Sequence, residues 1–268
     1  MGGAARMYWL MAVAGFRRWS TYRQAAFAGL VTNIVFGFLR CAVLVTVFEG
    51  VSEGSGRVAG YDPAATFMFV WVGQGLINVV LLWGGTELAE RVRSGDVAID
   101  LVRPWNLQAA LLAEDLGRAA FAVLIRFTVP MAVGLLAFDL RLPSSPLTWA
   151  VFAVGTLLAV VVSFGVRFLL NLTAFWLLDW RGTLGVYMAV SAPLAGLIVP
   201  IGMFPDWARV AIWCTPFPAM LQAPADLLIE RGPAPLLLAH QLGWAVVLLL
   251  AGRVVLRRGE RTLVVQGG

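Results

Sequence analysis

The chain has 268 residues, of which 60% are hydrophobic and only 13% charged, and its net charge of +5 comes from arginine without any lysine. A soluble domain of this size carries about 25% charged and about 45–50% apolar residues, and so large an apolar excess cannot be hidden in one soluble core. These totals exclude an ordinary soluble globular protein, and arginines dispersed between apolar runs fit a membrane protein obeying the positive-inside rule rather than a nucleic-acid binder.

The first element is Arg6–Gln24. At helical spacing Tyr8, Met11, Trp19 and Tyr22 share a face, with Trp9 and Phe16 at its edge and Arg6, Arg17 and Gln24 opposite. That pattern predicts a helix lying in the membrane interface with its aromatic face inward. No cleavable signal is expected, because Arg6, Arg17, Arg18 and Arg23 are scattered among aromatics.

A span needs about 20 mostly apolar residues to cross about 30 Å of hydrocarbon. Six stretches qualify: Ala25–Phe48, Ala64–Gly84, Ala119–Phe138, Thr148–Leu170, Thr183–Met203 and Leu236–Leu256. The expected fold is therefore all-α, a single polytopic domain over residues 1–268. Spans 1–2 fall in residues 25–84, spans 3–5 in 119–203 and span 6 in 236–256, with a tail at 257–268.

Arg40 in the first span and Arg126 in the third are the deepest intramembrane charges. Since an arginine at a helix centre costs at least about 2.5 kcal/mol, each is a candidate for the translocation path or for an ion pair. Arg167, near the end of the fourth span, is expected to snorkel to the interface. Gly73, Gly75, Gly84 and Gly85 are expected to permit close helix approach.

The loop 85–118 has internal order. Thr86 is a candidate N-cap, Glu87 and Glu90 suit the positive start of a short helix, Arg91 and Arg93 suit its end, and Gly95 suits a left-handed cap. A turn is expected through Asp96–Arg103, and Pro104 followed by Asn106 opens an amphipathic lead-in to the third span. Asp96 and Asp100 lie among Arg91, Arg93 and Arg103, so salt-bridged surface is expected there.

Residues 204–235 contain Pro205, Pro216, Pro218, Pro224, Pro233 and Pro235, which leave pieces too short to span but too apolar for a free loop. Short re-entrant helices packed on protein are expected. Pro193 and Pro200 should break the fifth span.

Arginines fix the orientation. Arg6, Arg17, Arg18, Arg23, Arg91, Arg93, Arg103, Arg118, Arg181, Arg253, Arg257, Arg258 and Arg261 fall on one side, and only Arg57, Arg141, Arg209 and Arg231 on the other. Both termini are thus expected in the cytoplasm. Phosphate-loop, dinucleotide and hydrolase motifs are missing from the sequence. Cys41 and Cys214 are far apart, and the single His240 leaves no ligand set for a metal or cofactor.

The stretch Glu87-Leu-Ala-Glu-Arg-Val-Arg-Ser-Gly-Asp-Val-Ala-Ile-Asp-Leu-Val-Arg-Pro104 resembles the RSGD…LLRP signature of a subfamily of ABC-2-type permeases. The element order resembles that family over essentially the whole chain. The glutamate-glycine-threonine order of better-known members is absent, and Gly84-Gly85-Thr86-Glu87 has the same residue types in another order.

The resemblance implies a permease subunit of an ABC exporter in the cytoplasmic membrane, moving its substrate outward. A separate cytoplasmic ATPase dimer would hold the ATP and magnesium, leaving no cofactor on this chain. A second permease subunit is implied, more readily a different chain than a copy. Glu87, Glu90, Arg91, Arg93 and Ser94 would dock into the ATPase, braced by Gly95, Asp96, Asp100, Arg103 and Pro104. The alternatives are a membrane-embedded lipid-modifying enzyme using Asp96 and Asp100, or an ATP-independent carrier or channel with Arg40 and Arg126 facing the path.

Overall fold

Three helices begin at side chains that take up the free N–H groups of a first turn. The Asp62 carboxylate accepts from Ala65 N at 2.7 Å, the Asn106 amide oxygen from Ala109 N at 2.9 Å and the Ser145 hydroxyl from Leu147 N at 3.2 Å. Pro63 and Pro146 follow two of these caps at the first helical turn, where a missing N–H costs nothing.

The computed structural model describes residues 3–21, 23–50, 61–177 and 179–262. In chain order these form α1 (Gly3–Thr21), α2 (Arg23–Gly50), α3 (Pro63–Val79), α4 (Glu87–Ser94), α5 (Val97–Leu101) and α6 (Leu107–Ala122). A π-helical turn (Val123–Phe127) joins α6 to α7 (Thr128–Ala137). Next come α8 (Pro146–Leu172), α9 (Arg181–Leu194), α10 (Asp206–Trp213), α11 (Gln222–Leu228) and α12 (Ala234–Glu260). Tyr22, Arg57 and residues 263–268, used in the sequence reading, lie outside the described residues, as do the side chains of Arg23 and Gln24.

Among the described residues, four helical runs are long and apolar enough to cross a membrane: Phe27–Glu49, Leu107–Ala137, Pro146–Phe175 and Ala234–Glu260. The chain is an all-α polytopic membrane protein. The lead-in expected to open at Asn106 and the third span form one continuous rod through α6, the π turn and α7. The second and fifth expected spans are shorter: α3 has 17 residues, and α9 has 14 before it stops after Pro193.

Both nevertheless run along the bundle. A Cβ on Gly155, Gly165, Gly252 or Gly259 would touch Gln241, Leu248, Phe168 or Phe175 respectively, so α12 lies parallel to α8. The chain between them must therefore traverse the bundle once. Residues 181–203 do so, from Tyr187 beside Leu82 at one end to Gly202 beside Tyr61 at the other.

α3 forms the centre. Trp71 is fully buried, with its ring against Gly37 of α2 and Gly134 of α7, where a Cβ would come within 3.0 Å and 2.5 Å of it. Gly75 is filled in the same way by Phe127, with a Cβ-to-ring distance of 2.4 Å. Gly75 thus serves close helix approach as expected, whereas Gly84 and Gly85 lie in the loop after α3 with φ of +107° and +70° and serve its turn instead.

The aromatic face of α1 has a different partner from the one its periodicity implied. It lies on α6: a Cβ on Gly117 would sit 1.7 Å from the Ala12 carbonyl oxygen, and one on Gly15 would sit 2.1 Å from that of Glu114. Phe16 meets Phe121 edge-on at 5.6 Å, and Arg118 lies over the Trp19 ring at 5.9 Å. Two glycines let the backbones touch, and Phe16 and Trp19 pack half-buried on α6, while Trp9 and Leu10 stay exposed.

Candidate functional site

The site begins where α3 stops. Leu82 N donates to Ile77 O at 3.0 Å and Leu81 N to Asn78 O at 3.3 Å, a Schellman closure that puts Leu81 at φ +51° where glycine is usual. Past this point no backbone N–H donates to the carbonyls of 80–85, so they need other donors.

Side chains supply them. Arg118 on α6 donates Nη1 to Asn78 O (2.7 Å) and Nη2 to Val79 O (2.8 Å). Ser163 Oγ on α8 donates to Val80 O (2.6 Å), and the Tyr187 hydroxyl on α9 to Leu82 O (2.7 Å). Asn171 Nδ2, also on α8, donates to Gly85 O (2.8 Å), and its Oδ1 accepts from Ala89 N (2.8 Å) in the first turn of α4.

Beneath this segment lies a buried ion cluster. Asp115 on α6 accepts from Arg118 Nε and from Arg167 Nη2, each at 2.6 Å, and all three residues are buried. Arg167 therefore does not snorkel as expected. It turns inward to the Asp115 carboxylate, and removing one member of such a buried group costs about 3–5 kcal/mol. A cavity of about 110 Å³ opens beside the cluster, walled by α1, α4, α6 and α8.

α4 follows its sequence reading closely. It starts after Thr86 with Glu87 and Glu90 in its first turn, has Arg91 and Arg93 in its last, and ends on Gly95 at φ +85°. Thr86 makes no side-chain bond to the first-turn N–H groups; its hydroxyl faces Glu90 at 3.5 Å. Leu88, Ala89 and Val92 are buried against the bundle, while Glu87, Glu90, Arg93 and Ser94 are exposed. On the exposed side, Glu90, Arg93 and Ser94 share an open groove with Trp180 and Arg181.

The turn expected through Asp96–Arg103 contains the short helix α5. Its Asp100 accepts from Arg91 Nη1 at 2.5 Å and pairs with Arg103 at 3.8 Å, and Arg103 covers the Trp105 ring at 5.0 Å. Asp96 instead accepts from the Ser94 hydroxyl at 2.6 Å. The expected salt bridges are thus found at Asp100, which is buried rather than on the surface, and both carboxylates already have protein donors. Pro104 lies exposed between α5 and the Asn106 cap.

The structure brings Glu87, Glu90, Arg91, Arg93, Ser94, Gly95, Asp96, Asp100, Arg103 and Pro104 into one contiguous unit and leaves Arg40 and Arg126 apart from it. With the Gln74 amide nitrogen on the Asn33 carbonyl, its oxygen accepts from Arg40 Nη1 at 3.0 Å. Arg126, in the π turn, donates to the Asn78 amide oxygen at 2.5 Å. Both arginines thus rest on neutral amides of α3.

Sequence reasoning missed Asp115, Ser163, Tyr187 and Asn171, and counted Arg118 only as a loop charge. The available signal was spacing: Ser163, Arg167 and Asn171 recur every four residues as a polar stripe on an apolar helix, and Asp115 and Arg118 are three apart.

A second polar cluster lies at the opposite end. Gln222 on α11 donates to Asp226 (2.8 Å) and to the Tyr61 hydroxyl (3.1 Å), while its oxygen accepts from Ile201 N (2.9 Å). Arg231 covers the Tyr61 ring at 3.4 Å. Burial pushes the Asp226 carboxyl up to about 7, opposed by the Gln222 hydrogen bond. All seven residues of α11 are buried, as expected of a short apolar piece packed on protein.

A comparison with curated proteins gives no match. The family described as ABC-2 family transporter protein matches residues 40–267, from the middle of α2 through the loop and its braces to the end of the chain. With that match spanning most of its length, this chain belongs to the ABC-2 transporter family, as a membrane-embedded permease component of an ABC transporter.

Proposed function

We propose that this chain is the membrane-spanning half of an exporter driven by a separate cytoplasmic ATPase that docks on α4. The observation that carries this reading is the build of α4. It is a short, capped helix whose apolar side is anchored in the bundle and whose charged side is turned out, set between α3 and α6 within the family match. An exposed charged helix on a rigid base gives a partner both a handle and orientation. Arg18 of α1 reaches Glu87 at 3.9 Å, so α1, read as the interfacial helix, borders the same surface.

The arginine distribution supports an orientation with α4 and both termini in the cytoplasm. In this reading ATP and magnesium bind the ATPase, and closure of its dimer pushes α4. The spans reorient around a path shared with a second permease subunit, a different chain rather than a copy. α10 and α11 form the lid on the external side, and Arg40 and Arg126 hold α3 against α2 and the π turn beside the path. The host bilayer is the cytoplasmic membrane.

The test is co-purification of the chain with a co-expressed ABC ATPase. Reversing charge by Glu87→Arg with Glu90→Arg is expected to weaken association at least tenfold, and Asp206→Arg on α10 to leave it unchanged. Equal association by both variants would overturn the assignment of α4.

A further inference from the structure

We infer that the connection from α3 to α4 is a rigid strut, and that Arg118, Ser163, Asn171 and Tyr187 are positioning residues that make it one. This inference rests on the docking role proposed for α4 and says where a push on α4 goes next. A glycine-containing connection of this length would ordinarily absorb a displacement by rotating its own backbone. Here that freedom is restricted at five carbonyls, two at the end of α3 and three along the connection. Those of Asn78, Val79, Val80, Leu82 and Gly85 each accept from a side chain at 2.6–2.8 Å, and the donors come from three different helices.

Two details give the strut direction. Asn171 binds both ends of the α4 junction, Gly85 O before the helix and Ala89 N within it, so α4 cannot tilt without carrying the end of α8. Arg118 binds the last carbonyls of α3 and is fixed by Asp115, which is also held by Arg167 one turn before Asn171. A displacement of α4 therefore reaches α8 through Asn171 and the end of α3 through Asp115 and Arg118. The left-handed Leu81 is the one strained non-glycine position in the strut, held in place by these braces.

Hydrogen exchange on the full complex with its ATPase, with and without ATP plus vanadate, reads this directly. In the wild type, trapping is expected to change exchange at both 87–94 and 79–85. Asn171→Ala should keep the change at 87–94 and lose at least half of it at 79–85. Tyr187→Phe, which deletes one hydroxyl and keeps the ring, should give a smaller loss in the same place. An undiminished response at 79–85 in both variants would overturn the strut. No response at 87–94 in the wild type would instead overturn the docking role of α4, so the two failures are distinguishable. Should Asn171→Ala fail to assemble, the Tyr187→Phe result decides.

Discussion

At the scale of residues, this fold depends on places where a side chain would not fit. The Cβ built on Gly117 lies 1.7 Å from a backbone oxygen of α1, and backbone cannot step aside as a flexible side chain can. Gly117→Ala is therefore expected to cost about 3 kcal/mol, read as a lowered thermal midpoint of the purified protein. Gly243 on α12 has nothing within 4 Å of its added Cβ, so Gly243→Ala should be neutral or stabilising by about 0.5–1 kcal/mol. Equal effects from the two would contradict the assignment of the α1–α6 contact.

Asp226 makes a second residue-scale prediction. Its folded value of about 7 lies above the ordinary 3.8, so the stability it contributes in acid is lost as pH rises from about 4 to about 7. Asp226→Asn should flatten that part of the pH–stability curve, as measured by thermal unfolding between pH 4.5 and 8. An unchanged slope would mean that the carboxyl is not held in a desolvated site.

Elements were legible in the sequence where local chemistry alone determines them. The limits of α4, its Gly95 cap and the Asn106 start of α6 follow from side chains within one turn of the feature they control. The break of the fifth span at Pro193 is local in the same sense. What the sequence did not disclose depends on pairing across helices. Tyr8, Phe16 and Trp19 read as a membrane-facing stripe because helical periodicity reports an apolar face but not its partner. Two glycines a hundred residues apart decide that the partner is α6. The braces of the strut were hidden for a related reason. A hydroxyl or amide inside an apolar run is unremarkable until the backbone carbonyl that it satisfies is known, and those carbonyls lie from 83 to 105 residues away for Ser163, Asn171 and Tyr187.

At the scale of the whole molecule, the parallel course of α8 and α12 requires the short α9 and the residues after it to traverse the bundle, a pass that helix length alone would not count. The outward faces of α2 and α12 are strongly apolar, with Phe27, Val43, Leu242 and Leu250 each more than half exposed, which leaves ample surface for lipid and for a second subunit. Polar clusters lie instead at the two ends, one at the end carrying α4, where α1, α3, α4, α6, α8 and α9 meet, and one around Gln222, Asp226 and Tyr61 at the other. The most direct test is ATP hydrolysis in reconstituted membranes by this chain alone, by a co-expressed ABC ATPase alone, and by the assembled complex. A permease half driven by a separate ATPase predicts no hydrolysis by the chain alone and a several-fold higher rate for the complex than for the free ATPase. Hydrolysis by the purified chain alone, or an ATPase rate unaffected by its assembly with the chain, would contradict it.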